Sequence, residues 1–131
     1  MTWGQVRELA ASGLFGVQSH TFWHPNFKHE AKRLNERDYK IFVDNQLGRS
    51  KAVLENEVQG RITMLAWPFG IHDSFLEDRA AAVGYEAGFS IECRAAASSD
   101  SLMSLPRCLV SDEYVGPRFL SFIKGAEGSV K

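Results

Sequence analysis

The amino-acid sequence predicts an α/β fold built on a parallel sheet, in a single domain spanning residues 1–131. Three observations predict it. Segments with apolar residues at threes and fours alternate with short apolar, partly β-branched runs, and strands separated by helices pair in parallel. Glycine and proline punctuate the boundaries, at Gly13, Gly60, Pro68, Gly70, Gly84 and Gly88. Apolar residues make up 44% of the chain, enough for one buried core of ordinary size. With 15 basic and 16 acidic residues and a net charge of -1, the totals give no basis for binding nucleic acid or anionic lipid. Cys93 and Cys108 are too few for a disulfide framework and form no C-x-x-C pattern; they can pair or stay free. No apolar run approaches the roughly 18 residues of a membrane helix, and the N-terminus lacks the basic start and apolar stretch of a signal peptide. The sequence as given reads as a soluble chain without an export signal.

Each element has its own signal. Thr2 and Gln5 fit a capping box that opens a helix from Trp3 to about Ser12, with Gly13 suited to the left-handed position after it. Leu14 to Ser19 reads as a short buried strand that delivers His20 at its end. From His29 to Gln59, Phe42, Val43, Leu47, Val53, Leu54 and Val58 recur at helical spacing, predicting one long amphipathic helix or two, with Gly48 as the expected bend or break. Ile62 to Trp67 is a continuous apolar strand of the kind covered on both faces, closed by Pro68 and Gly70. Ser74 and Glu77 repeat the capping-box pattern and open a helix through Ala82. Phe89 to Cys93 predicts a third strand, Ala95 to Ser104 a loop, Leu105 to Val110 a short extended segment and Glu113 to Lys124 a final helix.

In parallel α/β sheets, ligands gather beyond the carboxyl ends of the strands, which directs attention to the residues after Ser19 and after Trp67. After Ser19 stand His20 and His24. Four residues apart, they share one face of a helical turn and can approach one metal ion, each offering a ring nitrogen at about 2.0–2.1 Å. Phe22 and Trp23 between them can pack against a sugar face.

The string His20-Thr21-Phe22-Trp23-His24-Pro25 resembles the H-[S/T]-x-x-H-P metal motif of the polysaccharide deacetylases of the NodB-homology type, carbohydrate esterase family 4. Leu65-Ala66-Trp67-Pro68-Phe69-Gly70 is similar to that family's aromatic-Pro-aromatic-Gly motif, including the helix that follows. The stretches from Thr2 to Gly13 and from Leu105 to Tyr114 also run as such domains run, so the resemblance covers nearly the whole chain. The Trp-Pro-aromatic-Gly form is most like the branch acting on poly-N-acetylglucosamine.

The resemblance implies a partial, distorted (β/α) barrel and a metal-dependent hydrolysis of the N-acetyl amide of an amino-sugar polymer. It implies that His20 and His24 are ligands of a divalent metal, foremost zinc, and that the backbone N–H of Phe69 stabilises the oxyanion. Trp67 and Pro68 would shape the pocket wall, and Thr21 would fix the loop. The partners implied are an N-acetylated polysaccharide or oligosaccharide, with no nucleic acid. The location implied for a full-length protein is the cell envelope or the exterior.

The sequence also departs from the pattern. The family's paired aspartates, one a metal ligand and one a general base, belong to a T-F-D-D-G motif on the first strand, and no Asp-Asp pair occurs among these residues. The L-x-x-H-D motif is absent; Asp112 and Glu113 stand after Ser111. The expectation is a domain lacking its first strand, with an underligated metal and a bare sheet edge through which copies associate. His72 and Asp73 are local candidates to replace the missing carboxylate, against the ordinary reading that Asp73 and Ser74 cap the next helix. His29 reads as a solvated surface residue, Glu92 and Arg94 as rim charges, and Cys93 as no nucleophile, since no His or Lys adjoins it. Three functions compete: a metal-dependent N-deacetylase, a carbohydrate-binding module using Phe22, Trp23, Trp67 and Phe69, and a folded remnant without activity.

Overall fold

The structure is a computed structural model and describes residues 1–127. Five helices run in chain order: α1 (Trp3–Ala11), α2 (Phe27–Arg33), α3 (Glu36–Val58), α4 (Ser74–Val83) and α5 (Pro117–Glu127). Two short strands, β1 (Met64–Ala66) and β2 (Ala87–Phe89), pair in parallel with Leu65 opposite Gly88. Ser19 adds a parallel bridge on the outer side of β1 and Leu105 one on the outer side of β2. The spatial order therefore follows the chain order: Ser19, β1, β2, Leu105.

Local signals account for most helix ends. In α1 the capping box forms in both directions, Thr2 N–H to Gln5 Oε1 at 2.8 Å and Gln5 N–H to Thr2 Oγ1 at 3.3 Å. The break in the long amphipathic region falls at Leu34 and Asn35, not at Gly48. Asn35 Oδ1 accepts the Asp38 N–H at 2.9 Å and starts a new helix, whereas Gly48 lies inside α3 with open space around it. A capping side chain satisfies orphan N–H groups, while a lone glycine only weakens a helix that packing maintains. α5 starts later than expected, at Pro117, because Gly116 in the left-handed region (φ 53°) and a proline at the first helical position set its start.

The first and third strands also differ from expectation. Leu14 to Ser19 is not a buried strand: Leu14 is 83% exposed and Phe15 56%, and only Ser19 joins the ladder. Among the described residues this segment has a neighbour on one side only, so most of it lacks the partner that would regularise it. The third strand is Ala87–Phe89, earlier than expected, because the Phe89 carbonyl accepts the Trp67 N–H at 3.0 Å and the chain then turns its Ser90 N–H to Leu105 O at 2.8 Å.

The core joins Phe27 of α2, Val43 and Leu47 of α3, Leu65 of β1, Leu76 and Ala80 of α4, and Ile62, Trp67 and Tyr85, all buried. These helices cover the Leu65 face of β1. Met64, pointing the other way, is 43% exposed, so β1 is covered on one face and not on both. Cys93 and Cys108 form a disulfide that ties the segment after β2 to the segment after Leu105. No helix among the described residues is long and apolar enough to cross a membrane.

Candidate functional site

Register brings the two motifs together. Ser19 N–H donates to Met64 O at 3.1 Å and Ser19 O accepts the Ala66 N–H at 2.9 Å, so His20 emerges beside the end of β1. There its Nδ1 lies 2.6 Å from the Ala66 carbonyl oxygen. A carbonyl only accepts, so Nδ1 carries the proton and the lone pair of the neutral ring sits on Nε2, the arrangement second-shell groups impose on metal-binding histidines.

The two imidazoles meet, with ring centroids 4.7 Å apart, but not on a helical turn. The backbone from His20 to His24 is a bend held at both ends by left-handed residues, Thr21 at φ 66° and His24 at φ 59°. Thr21 Oγ1 accepts the His24 N–H at 3.2 Å and closes the bend, the local role expected of it. Pro25 and Phe27, both fully buried, anchor the chain immediately afterwards. On the other side of His24 lies the Phe69 ring, with centroids 4.6 Å apart. Phe69 occupies a third left-handed position, φ 56°, in a 3₁₀ turn over Pro68–Gly70. The turn's bonds, Gly70 N–H to Trp67 O and Ile71 N–H to Pro68 O, do not engage the Phe69 N–H. Gly70 is required there: φ is 64° and a Cβ would strike the Ile91 side chain.

The aromatic residues divide. Phe22, Trp23 and Phe69 are 40%, 58% and 55% exposed, and of these the Phe69 ring packs on His24. The Arg49 guanidinium sits 4.2 Å over the Phe22 ring, and Trp23 meets Phe42 edge-on. Trp67 and Pro68 are not pocket wall. Both are buried, and Trp67 donates Nε1–H to Met103 O at 2.7 Å. An apolar strand end packs inward when a helical layer covers it, and Trp67 faces Phe27 of α2.

The local substitutes for a carboxylate are engaged elsewhere. Asp73 caps α4, accepting the Leu76 N–H at 2.8 Å, and His72 Nδ1 pairs with Glu77 Oε1 at 2.9 Å. His29 is a surface residue beside Glu30. Arg94 turns to Asp100 in a two-pronged pair at 2.8 and 2.7 Å. That pair, with the Ala97 N–H, holds the Asp100 carboxyl down to about 2. Among the described residues no group of three or more His, Cys, Asp or Glu converges on one point.

Two residues beneath the bend carry no signal that motif reading detects. Gln46 Oε1 accepts the Trp23 N–H at 3.2 Å, and Ser50 Oγ is 2.7 Å from Ser19 Oγ, which itself accepts the Thr21 N–H at 3.2 Å. Burial pushes the nearby Tyr85 phenol up, with the Ser19 and Ser50 hydroxyls pulling against it. The available signal is polar residues inside the buried stripe Val43, Gln46, Leu47, Ser50 of α3.

A parallel α/β layer thus carries an imidazole pair and a glycine-supported turn at the carboxyl end of its strands. Residues 1–88 match the family model described as polysaccharide deacetylase, and the chain belongs to that family. Among solved structures it is similar to the BpsB deacetylase domain from Bordetella bronchiseptica, with 25% identity and a TM-score of 0.74, covering 84% of this chain and 49% of that one. It shares its fold with the Streptococcus pyogenes deacetylase PplD in complex with acetate (20% identity, TM-score 0.76, 93% and 50% covered). The same holds for IcaB from Ammonifex degensii (20%, 0.74, 92% and 52%). The chain spans about half the length of these structures. No curated protein matches it.

Proposed function

We propose that this domain belongs to a metal-dependent hydrolase that removes the N-acetyl group from an amino-sugar polymer, with His20 and His24 as two ligands of a divalent metal, foremost zinc. The observation that carries the reading is the 4.7 Å approach of two imidazoles, one already oriented by Ala66 O, against the Phe69 turn. The pair fits a metal as part of a donor set; a third protein ligand, which catalytic zinc normally has, is not among the described residues. When bound, such an ion polarises an amide carbonyl and lowers the pKa of its water.

This chain's own residues do the rest. His20 presents Nε2, held in register by the ladder. The Phe69 N–H donates to the amide oxygen as charge gathers there. The rings of Phe22, Trp23 and Phe69 cover a sugar face and exclude water. The carboxylate ligand would come from a strand pairing with the outer edge of Leu14 to Ser19, which would extend the Ser19, β1, β2, Leu105 order into a (β/α) barrel wall. The Trp67-Pro68-Phe69-Gly70 form favours poly-N-acetylglucosamine as the polymer. The Cys93–Cys108 disulfide fits an oxidising compartment, and so a cell-envelope or extracellular site of action.

Calorimetric titration with cobalt(II) or zinc(II) at neutral pH tests the reading. One equivalent should bind, and His20→Ala or His24→Ala should abolish it. Uptake by the parent no greater than by a chain carrying both His20→Ala and His24→Ala refutes it. The exposed rings without a third ligand favour a second reading, a carbohydrate-binding domain that does not hydrolyse. An N-acetylglucosamine oligomer that binds equally well in the presence of a chelator would select it.

A further inference from the structure

We infer that Gln46 and Ser50 are positioning residues: α3 carries them to hold the bend from Ser19 to His24 in the strained shape that brings the two imidazoles together. The inference rests on the metal reading of that pair. Four residues of α3 are buried, Val43, Gln46, Leu47 and Ser50. Val43 and Leu47 join the hydrophobic core. Gln46 and Ser50, one helical turn apart and each 4% exposed, are polar groups in a place where polarity costs stability unless it is bonded.

Their bonds go to the backbone of the histidine bend. Gln46 Oε1 takes the Trp23 N–H, and Ser50 Oγ fixes Ser19 Oγ, which takes the Thr21 N–H. Two of the non-glycine residues in left-handed conformations among those described, Thr21 and His24, bracket these contacts. A β-branched residue in that region is an outlier, and such conformations persist only where their surroundings over-determine them. The Thr21 Oγ1 to His24 N–H bond closes the bend but does not attach it to the fold. Gln46 and Ser50 supply that attachment, at two points on one rigid helix. Without them the Trp23 N–H loses its acceptor, the Ser19 hydroxyl that accepts the Thr21 N–H loses its anchor, and the bend is free to relax, carrying His24 away from His20.

The test uses the full chain with Gln46→Met, which keeps length and removes the acceptor, and the equal-sized pair Ser50→Val and Ser50→Thr, which differ in the hydroxyl. Ser50→Ala repeats the comparison without added bulk. Amide hydrogen exchange is expected to rise at least about fivefold at Trp23 in Gln46→Met and at Thr21 in Ser50→Val and Ser50→Ala, the scale of one lost net hydrogen bond. The imidazole nitrogen resonances of His20 and His24 should shift with them, while α4 amides stay protected and Ser50→Thr behaves as the parent. Cobalt affinity should fall by a similar factor in the same variants. Unchanged exchange and ring signals, a uniform rise across the whole chain, or equal loss in Ser50→Thr overturns the inference. A parent that binds no cobalt removes the metal reading alone, since exchange and ring signals decide the positioning role without metal.

Discussion

Gly88 sits where one added methyl group meets two partners of a buried hydrogen bond. A Cβ there would fall against the Met103 carbonyl oxygen and 2.7 Å from Trp67 Nε1, the donor and acceptor that are themselves 2.7 Å apart. The backbone of Gly88 is not left-handed, so the penalty of Gly88→Ala is steric. Overpacking of this kind costs about 1–3 kcal/mol. Prising Trp67 from Met103 leaves a buried N–H without its acceptor, which costs about 1–3 kcal/mol more. The only offset is reduced freedom of the unfolded chain, about 0.4–1 kcal/mol. The costs win, by about 3 kcal/mol in the middle of these ranges. At about 4 °C per kcal/mol for a domain of this size, the midpoint should drop roughly 12 °C. Gly48→Ala is the control: a Cβ meets nothing within 4 Å in the interior of α3. It should raise stability by about 0.5–1 kcal/mol. Thermal unfolding followed by circular dichroism and tryptophan fluorescence reads both. A Gly88→Ala midpoint within about 2 °C of the parent refutes the packing argument.

Acid titration tests the Arg94–Asp100 pair. The folded Asp100 carboxyl, at about 2, lies below its ordinary 3.8. The unfolded chain therefore binds more protons in that interval, and the stabilisation is full above 3.8 and lost as pH falls through about 2. Asp100→Asn should melt below the parent at neutral pH and converge with it in acid; a constant gap contradicts the pairing. The disulfide between Cys93 and Cys108 spans a sequence separation of 15. Closing a loop of that length is worth about 3 kcal/mol, so dithiothreitol should lower the parent's midpoint by roughly 12 °C. Cys93→Ser should melt alike with and without the reductant, and a parent indifferent to dithiothreitol counts against the cross-link. Phe69→Gly relieves a left-handed conformation worth about 1–2 kcal/mol and returns part of it as chain entropy. Its melting should match or exceed the parent's while cobalt binding weakens. A large loss of stability would make Phe69 a packing residue instead.

What was legible in the sequence was what short-range chemistry decides. The Thr2 and Gln5 box, the Asp73 cap and the left-handed Gly13 each satisfy or permit a local backbone geometry. The proximity of His20 and His24 was also foreseen, although by the wrong local structure. The features that escaped depend on distant partners. Leu14 to Phe15 has strand composition, but a strand exists only where another pairs with it. Trp67 reads as a cleft aromatic until α2 brings Phe27 against it. The long amphipathic region divides at Asn35 because a cap outweighs the weak cost of Gly48, a comparison that periodicity does not make. Gln46 and Ser50 look like interruptions of an apolar stripe, and their purpose is visible only against the bend they hold.

The division of labour between sheet and turns explains why the site tolerates strain. The ladder fixes where His20 and the Pro68–Gly70 turn begin, since Ser19 and Ala66 are bonded to each other, but it cannot aim their side chains. Aim comes from Thr21, His24 and Phe69, three non-glycine residues in left-handed conformations at one spot. Each costs about 1–2 kcal/mol, a sum that takes a large share of the stability of a small domain unless neighbouring bonds offset it. Around the bend those bonds are present, Thr21 to His24 within it and Gln46 and Ser50 below it, while at the Phe69 turn the absence of a side chain on Gly70 allows close approach to Ile91. Relaxing any one of the three would relieve its local strain at the expense of these contacts and separate rings now 4.6 to 4.7 Å apart. The strain is concentrated where the His20, His24 and Phe69 rings converge.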